Sequence, residues 1–131
     1  MLKNIFIILA LLTVITTAYT AGDITGKLTI DGIEREYILH LPADYGTAKL
    51  PLVMVFHGGG GNAEQVKEHT KFNKLADNED FIVVYPNAVD KNWNDGRIGE
   101  KLPTDIDDVK FISTMLDTLI ANYNINSGRV F

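Results

Sequence analysis

The 131-residue sequence contains no cysteine. That absence excludes a disulfide framework, a thiolate zinc site, a cysteine nucleophile and a lipoprotein-type anchor. It also has little positive charge, with 12 lysines and arginines against 17 acidic residues, and the basic residues form no cluster. A nucleic-acid footprint and a polybasic membrane patch are both excluded, so the expected partner is a small or neutral molecule. No repeat, linker or low-complexity stretch interrupts the chain. What remains, 46% hydrophobic and 22% charged residues, is the balance of one globular domain with a modest core.

The one long apolar run is at the start. Lys3 and the amino terminus precede Ile5 to Ile15, and the small residues Thr16, Thr17 and Ala18 follow. The run is shorter than the about 20 apolar residues that a spanning helix requires. A secretory signal peptide is therefore expected, cleaved after Ala18, with Thr20 and Gly22 as alternative sites. Residues 1–21 are assigned to that signal and 22–131 to the exported domain, with no stable membrane anchor.

Beyond the signal, Lys27–Ile30 and Glu34–Leu41 alternate apolar and polar residues around Asp31-Gly32. This pattern predicts an antiparallel hairpin. Pro51–Phe56 and Phe81–Tyr85 are continuous apolar runs, as expected of strands covered on both faces of a parallel sheet. Between them, Asn62 with Gln65 predicts a helix start, and Val66, His69, Phe72, Leu75 and Ala76 make an apolar stripe. Thr104 with Asp107 reads as a second capping box. Ile106, Val109, Ile112, Met115, Leu119, Ile120 and Tyr123 form its face, and Arg129–Phe131 open a last strand after Gly128. The expected class is α/β: an antiparallel hairpin, then parallel strands with flanking helices.

The segment His57-Gly58-Gly59-Gly60-Gly61-Asn62 joins a buried strand to a capped helix. Successive glycines there let a loop aim several N–H groups at one point, at the end of the sheet where ligands bind. Neither the lysine and serine or threonine of a phosphate loop nor a dinucleotide spacing follows. A tight turn without chemistry is the plainer alternative.

Together with Pro51–Asn62, the segments Phe81–Pro86, Trp93–Arg97, Asp107–Phe111 and Arg129–Phe131 resemble secreted polyhydroxybutyrate depolymerases and the feruloyl and acetylxylan esterases of carbohydrate esterase family 1. The resemblance runs from about residue 26 onward, in order and at matching spacing. It implies an α/β-hydrolase sheet, here truncated before the nucleophile elbow Gly-x-Ser-x-Gly and before the triad acid and histidine. It implies backbone donors from Gly58, Gly59 and Gly60 to an oxyanion, chiefly from one of the latter two, and a loop-holding role for His57 rather than that of general base. Lys110 departs from the glycine that relatives often have after Asp-Asp-Val.

Trp93 has two open readings, a substrate-side aromatic or a ring packed beneath its loop. Ser113 and Ser127 lack flanking glycines and read as structural. His40 and His69 read as satisfied structural histidines, with no metal-ligand spacing. Asp90, Asn92 and Asn94 hint at a calcium loop, but Asp95 and Lys101 stand where an EF-hand needs glycine and glutamate, so a solvated loop is expected. Asp105, Asp107 and Asp108 suit the first turn of a helix by the dipole alone. The expected function is a secreted serine esterase acting on a polyester or a plant polysaccharide, needing no cofactor or metal. A non-catalytic secreted binding module and another α/β-hydrolase, such as a peptidase, are the alternatives; oligomeric state is not legible.

Overall fold

The structure, a computed structural model, describes residues 19–97, 99 and 105–131. Most of the expected signal peptide, and Thr104 with it, lies outside the described residues. Among the described residues no helix is long and apolar enough to cross a membrane.

Strands β1 (Gly22–Ile30) and β2 (Ile33–Leu41) form the expected hairpin, in register from Ile30 opposite Ile33 to Gly22 opposite Leu41. Asp31 and Gly32 both take positive φ, 51° and 82°, which is why an Asp-Gly pair closes this two-residue turn. Strands β3 (Leu50–Met54), β4 (Ile82–Pro86) and β5 (Ile125–Val130) are mutually parallel, and the sheet order is β1-β2-β4-β3-β5. β2 joins β4 antiparallel. The start of β2 therefore stands at the carboxyl end of β4.

Helices cover both faces. Leu39, Leu41, Leu52, Ile82 and Val84 meet Phe111, Met115 and Leu119 of helix α3 (Asp108–Asn122) on one face. On the other, Ile38, Val83 and Tyr85 meet Ala63 of α1 (Ala63–Thr70) and Ala76 of α2 (Phe72–Glu79). The alternation along β4 shows why that run is apolar throughout: each successive side chain enters a different core. Each fully buried Leu or Phe side chain contributes about 1.5–3 kcal/mol.

Four expectations change. The helix after Asn62 breaks at Lys71, which takes the left-handed conformation (φ 58°), so one stripe does not run through both halves. His69 is exposed and Leu75 is 47% exposed, leaving Ala63 and Ala76 as the buried contacts. α3 is capped by Asp107, whose carboxylate accepts from the Lys110 N–H at 2.8 Å. Its buried stripe is centred on Phe111, Met115 and Leu119, and Val109, expected inside, is 80% exposed. β5 begins at Ile125, because Ile125 fills the core beside Leu50, and so Ser127 and Gly128 lie within the strand instead of in a turn before it. β3 and β5 pair in parallel, and the pairing continues through Phe131, which donates to Leu52 O and accepts from Met54 N–H.

Candidate functional site

The Gly-rich loop leaves the carboxyl end of β3, the edge of an α/β sheet at which ligands bind. Its anchor is His57, which is buried. The imidazole lies 2.8 Å through Nδ1 from Gly58 O, and its Nε2 accepts from the Ala88 N–H at 3.1 Å. That pattern assigns the proton to Nδ1 and leaves a neutral ring with both nitrogens engaged. The His57 carbonyl accepts from the indole N–H of Trp93 at 2.9 Å. Held at both its backbone and its ring, His57 restrains the loop, and its ring has no nitrogen left to serve as a general base.

The loop then turns tightly. Gly60 has φ 78° and donates to Lys91 O at 2.9 Å; Gly61 donates to Gly58 O at 3.0 Å. A Cβ at Gly61 would lie 3.1 Å from that carbonyl, a crowded contact that favours glycine. Two N–H groups further on are also engaged: Asn87 Oδ1 accepts from Ala63 at 2.7 Å, and Asn62 Oδ1 accepts from Gln65 at 2.9 Å as the N-cap of α1. The N–H groups of Gly58 and Gly59 have no acceptor among the described residues, and both glycines are exposed. The N–H of Gly60, expected to be a donor to substrate, is occupied in closing the turn.

Trp93 is half-buried, packing against the His57 ring at 5.1 Å and edge-on to Phe56 at 5.5 Å between centroids. The ring therefore lies beneath the loop, and Phe56, 46% exposed, presents the open aromatic surface beside it. An open cavity of about 460 Å³ flanks the loop on its β2 side, lined by Glu36, Gly61, Asn62, Asn87, Asp90 and Lys91 among others.

Sequence reasoning missed Arg35. It is buried on the apolar face of β2, one guanidinium nitrogen reaches Asp108 Oδ1 at 2.6 Å and Asn87 O at 3.2 Å, and its carbon sits 4.0 Å over the Phe111 ring. The signal was present: in β2, Arg35 shares the face of Tyr37, Leu39 and Leu41, where a charge demands a partner. Asp108, expected as a dipole-favoured carboxylate, is that partner, and its second oxygen accepts from the Asn94 N–H at 2.6 Å.

The remaining candidates stay outside the site. His40 bridges Asp23 (2.7 Å) and Asp77 (3.0 Å) opposite Val83, at the far end of β4 from the loop. Ser113 donates to Lys110 O from the exposed side of α3, and Ser127 is exposed in β5. The Asn92 and Asn94 amides donate to Asp90 O and Ile106 O, and no metal-binding cluster occurs among the described residues. Lys110 pairs with Asp31 across the hairpin turn.

Comparisons with known proteins find esterases. The family described as Esterase PHB depolymerase matches residues 35–98, a span holding the whole His57 to Trp93 assembly. NocK of Nocardia uniformis subsp. tsuyamanensis, named as an esterase, is 30% identical over 110 residues, which cover 80% of this chain and 31% of that protein. A bifunctional acetylxylan esterase/xylanase of Neocallimastix patriciarum is 29% identical over 104 residues, covering 76% of this chain and 14% of it. The chain thus spans about a third of the first relative's length and less of the second's. Among solved structures, S-formylglutathione hydrolases of Staphylococcus aureus (TM-score 0.62, 14% identity, 86% of this chain and 46% of that one) and Agrobacterium tumefaciens (0.63, 13%, 88% and 50%) share the fold. By these matches, the chain is similar to esterases of the PHB depolymerase family over residues 35–98, and its fold is part of an α/β-hydrolase sheet.

Proposed function

We propose that the chain is the oxyanion-loop half of a secreted serine esterase, acting on a polyester or on ester-decorated plant polysaccharide. The observation that carries this reading is the pair of unengaged N–H groups at Gly58 and Gly59, exposed at the carboxyl end of β3 on a loop whose Gly60 and Gly61 N–H groups are engaged in closing the turn. Donors fixed before the reaction stabilise charge as it develops on an ester oxygen, without reorganising at that moment.

In this reading the nucleophilic serine, the histidine base and the acid lie outside these 131 residues. The serine oxygen bonds to the ester carbonyl carbon while the histidine takes its proton. The carbonyl oxygen becomes the oxyanion facing Gly58 and Gly59. Collapse breaks the bond to the alcohol, which leaves with the proton, and water then releases the acid by the same steps. The exposed Phe56 ring and the adjoining cavity offer apolar and polar surface for the two sides of the ester. No cofactor is required. For export, cleavage after Ala18 retains Tyr19, whose ring packs on Tyr123 at 4.4 Å.

The test is to express the gene product and combine a fluorophosphonate probe with assays on aryl acetate, acetylated xylan, methyl ferulate and polyhydroxybutyrate. Labelling of a serine in a Gly-x-Ser-x-Gly sequence, together with turnover of one of these esters, is expected. Absence of both labelling and turnover in the folded protein overturns the reading in favour of a binding module, and labelling of Ser113 or Ser127 overturns the placement of the nucleophile.

A further inference from the structure

The buried pair Arg35 and Asp108 reaches the loop along two separate arms. On the first, Arg35 donates to Asn87 O, and the adjoining Ala88 N–H donates to His57 Nε2. Asn87 itself is tied to Glu36 O through its N–H and to the start of α1 through its side chain. On the second, Asp108 Oδ2 accepts from the Asn94 N–H, and the neighbouring Trp93 donates to His57 O. The Asn94 side chain fixes the same segment to Ile106 O. The two arms meet on one residue, one at its ring and the other at its carbonyl.

We propose that Arg35 and Asp108 are positioning residues of the oxyanion loop, holding His57 from both ends and so setting the direction of the Gly58 and Gly59 N–H groups. The catalytic part of this inference rests on the esterase reading; the structural coupling does not. A pair serving stability alone would need no shared target. Here each partner uses a hydrogen bond beyond the ion pair to hold a different segment, 87–88 or 93–94, and both segments end on His57. The geometry also explains why a charge pair stands where apolar side chains would pack: a carboxylate with two acceptor oxygens and a guanidinium with several donors each reach two targets at once.

The experiment replaces the pair as Arg35→Met with Asp108→Leu in the intact protein. Swapping a buried ion pair for apolar residues of similar size leaves no unpaired charge and is often neutral for stability. Cooperative unfolding is therefore expected to persist. The His57 Nδ1–H and Trp93 indole N–H resonances, assigned with His57→Gln and Trp93→Phe, are expected to broaden or vanish. In the same variant kcat should fall about 100-fold with KM little changed, the effect of a roughly 1 Å misplacement of catalytic donors. Asp108→Asn is the second variant: one acceptor oxygen becomes a donor, so either the Ala88 amide or the Trp93 indole signal must move. Unchanged His57 and Trp93 signals in the folded double variant, or no change at either arm in Asp108→Asn, overturn the proposal. A wild-type protein without esterase activity whose signals still collapse in the double variant refutes the esterase reading and leaves the coupling standing.

Discussion

The indole N–H of Trp93 donates to the carbonyl oxygen of His57 at 2.9 Å, while the two rings lie 5.1 Å apart. The only tryptophan of the chain thus holds the backbone from which the Gly-rich loop departs. A side chain that resembles a pocket aromatic in the sequence is, in the fold, a strut.

Trp93→Phe keeps most of the ring packing and removes the donor. The expected cost is about 1 kcal/mol, the net worth of one hydrogen bond, read as a lower denaturation midpoint. Esterase activity should fall as well, because the His57 carbonyl is then free to rotate. Full activity in a Trp93→Phe protein would mean that the loop does not depend on this bond.

The glycines of the loop should respond unequally to alanine. Gly60, at φ 78°, holds a conformation that costs an L-residue about 1–2 kcal/mol, so Gly60→Ala should destabilise by about that amount. Gly58 has negative φ and open space around a new Cβ, and Gly58→Ala should stay within about 0.5 kcal/mol of wild type. Equal effects in thermal melts would contradict the turn geometry.

Much of this fold was legible in the residues themselves. Asp31-Gly32 encodes its turn locally, and the valine-rich β4 and the Asn62 cap do the same. Two of the failures depend on partners far along the chain. Val109, expected inside, is exposed and Phe111 is buried, as Asp108 turns inward to meet Arg35, 73 residues away. Helical periodicity fixes the width of a stripe but not its phase, and a buried ion pair sets that phase here. The site divides in the same way. The glycines announce themselves, whereas the engagement of Gly60 by Lys91 becomes visible only once the 89–91 turn is in place.

A pH-dependent element lies at the other end of the sheet. Burial pushes the Asp23 carboxyl upward, but hydrogen bonds from Lys67 and His40 outweigh it and hold the group below its ordinary value of 3.8. A depressed folded-state value contributes stability that is present above the unfolded value and is lost as pH falls through the folded one. The window is therefore at and below about pH 4, where the clasp joining β1 to α1 and α2 through Lys67 and Asn73 weakens. In Lys67→Met, the Asp23 titration followed by carboxyl-carbon NMR should move upward. An unchanged midpoint would show that Lys67 does not hold the carboxylate.

The central claim is that Gly58 and Gly59, and not Gly60 or Gly61, donate to the oxygen that becomes negative during ester cleavage. The direct measurement is amide NMR on the gene product labelled with ¹⁵N-glycine, before and after phosphonylation by a fluorophosphonate, whose serine adduct places a polar phosphoryl oxygen where the oxyanion would form. The account predicts that a Gly58 or Gly59 amide proton moves downfield as it gains an acceptor, while the Gly60 and Gly61 amides keep their shifts because Lys91 and Gly58 already hold them. A phosphonylated protein in which neither the Gly58 nor the Gly59 amide moves, or in which Gly60 is the one that does, would contradict it.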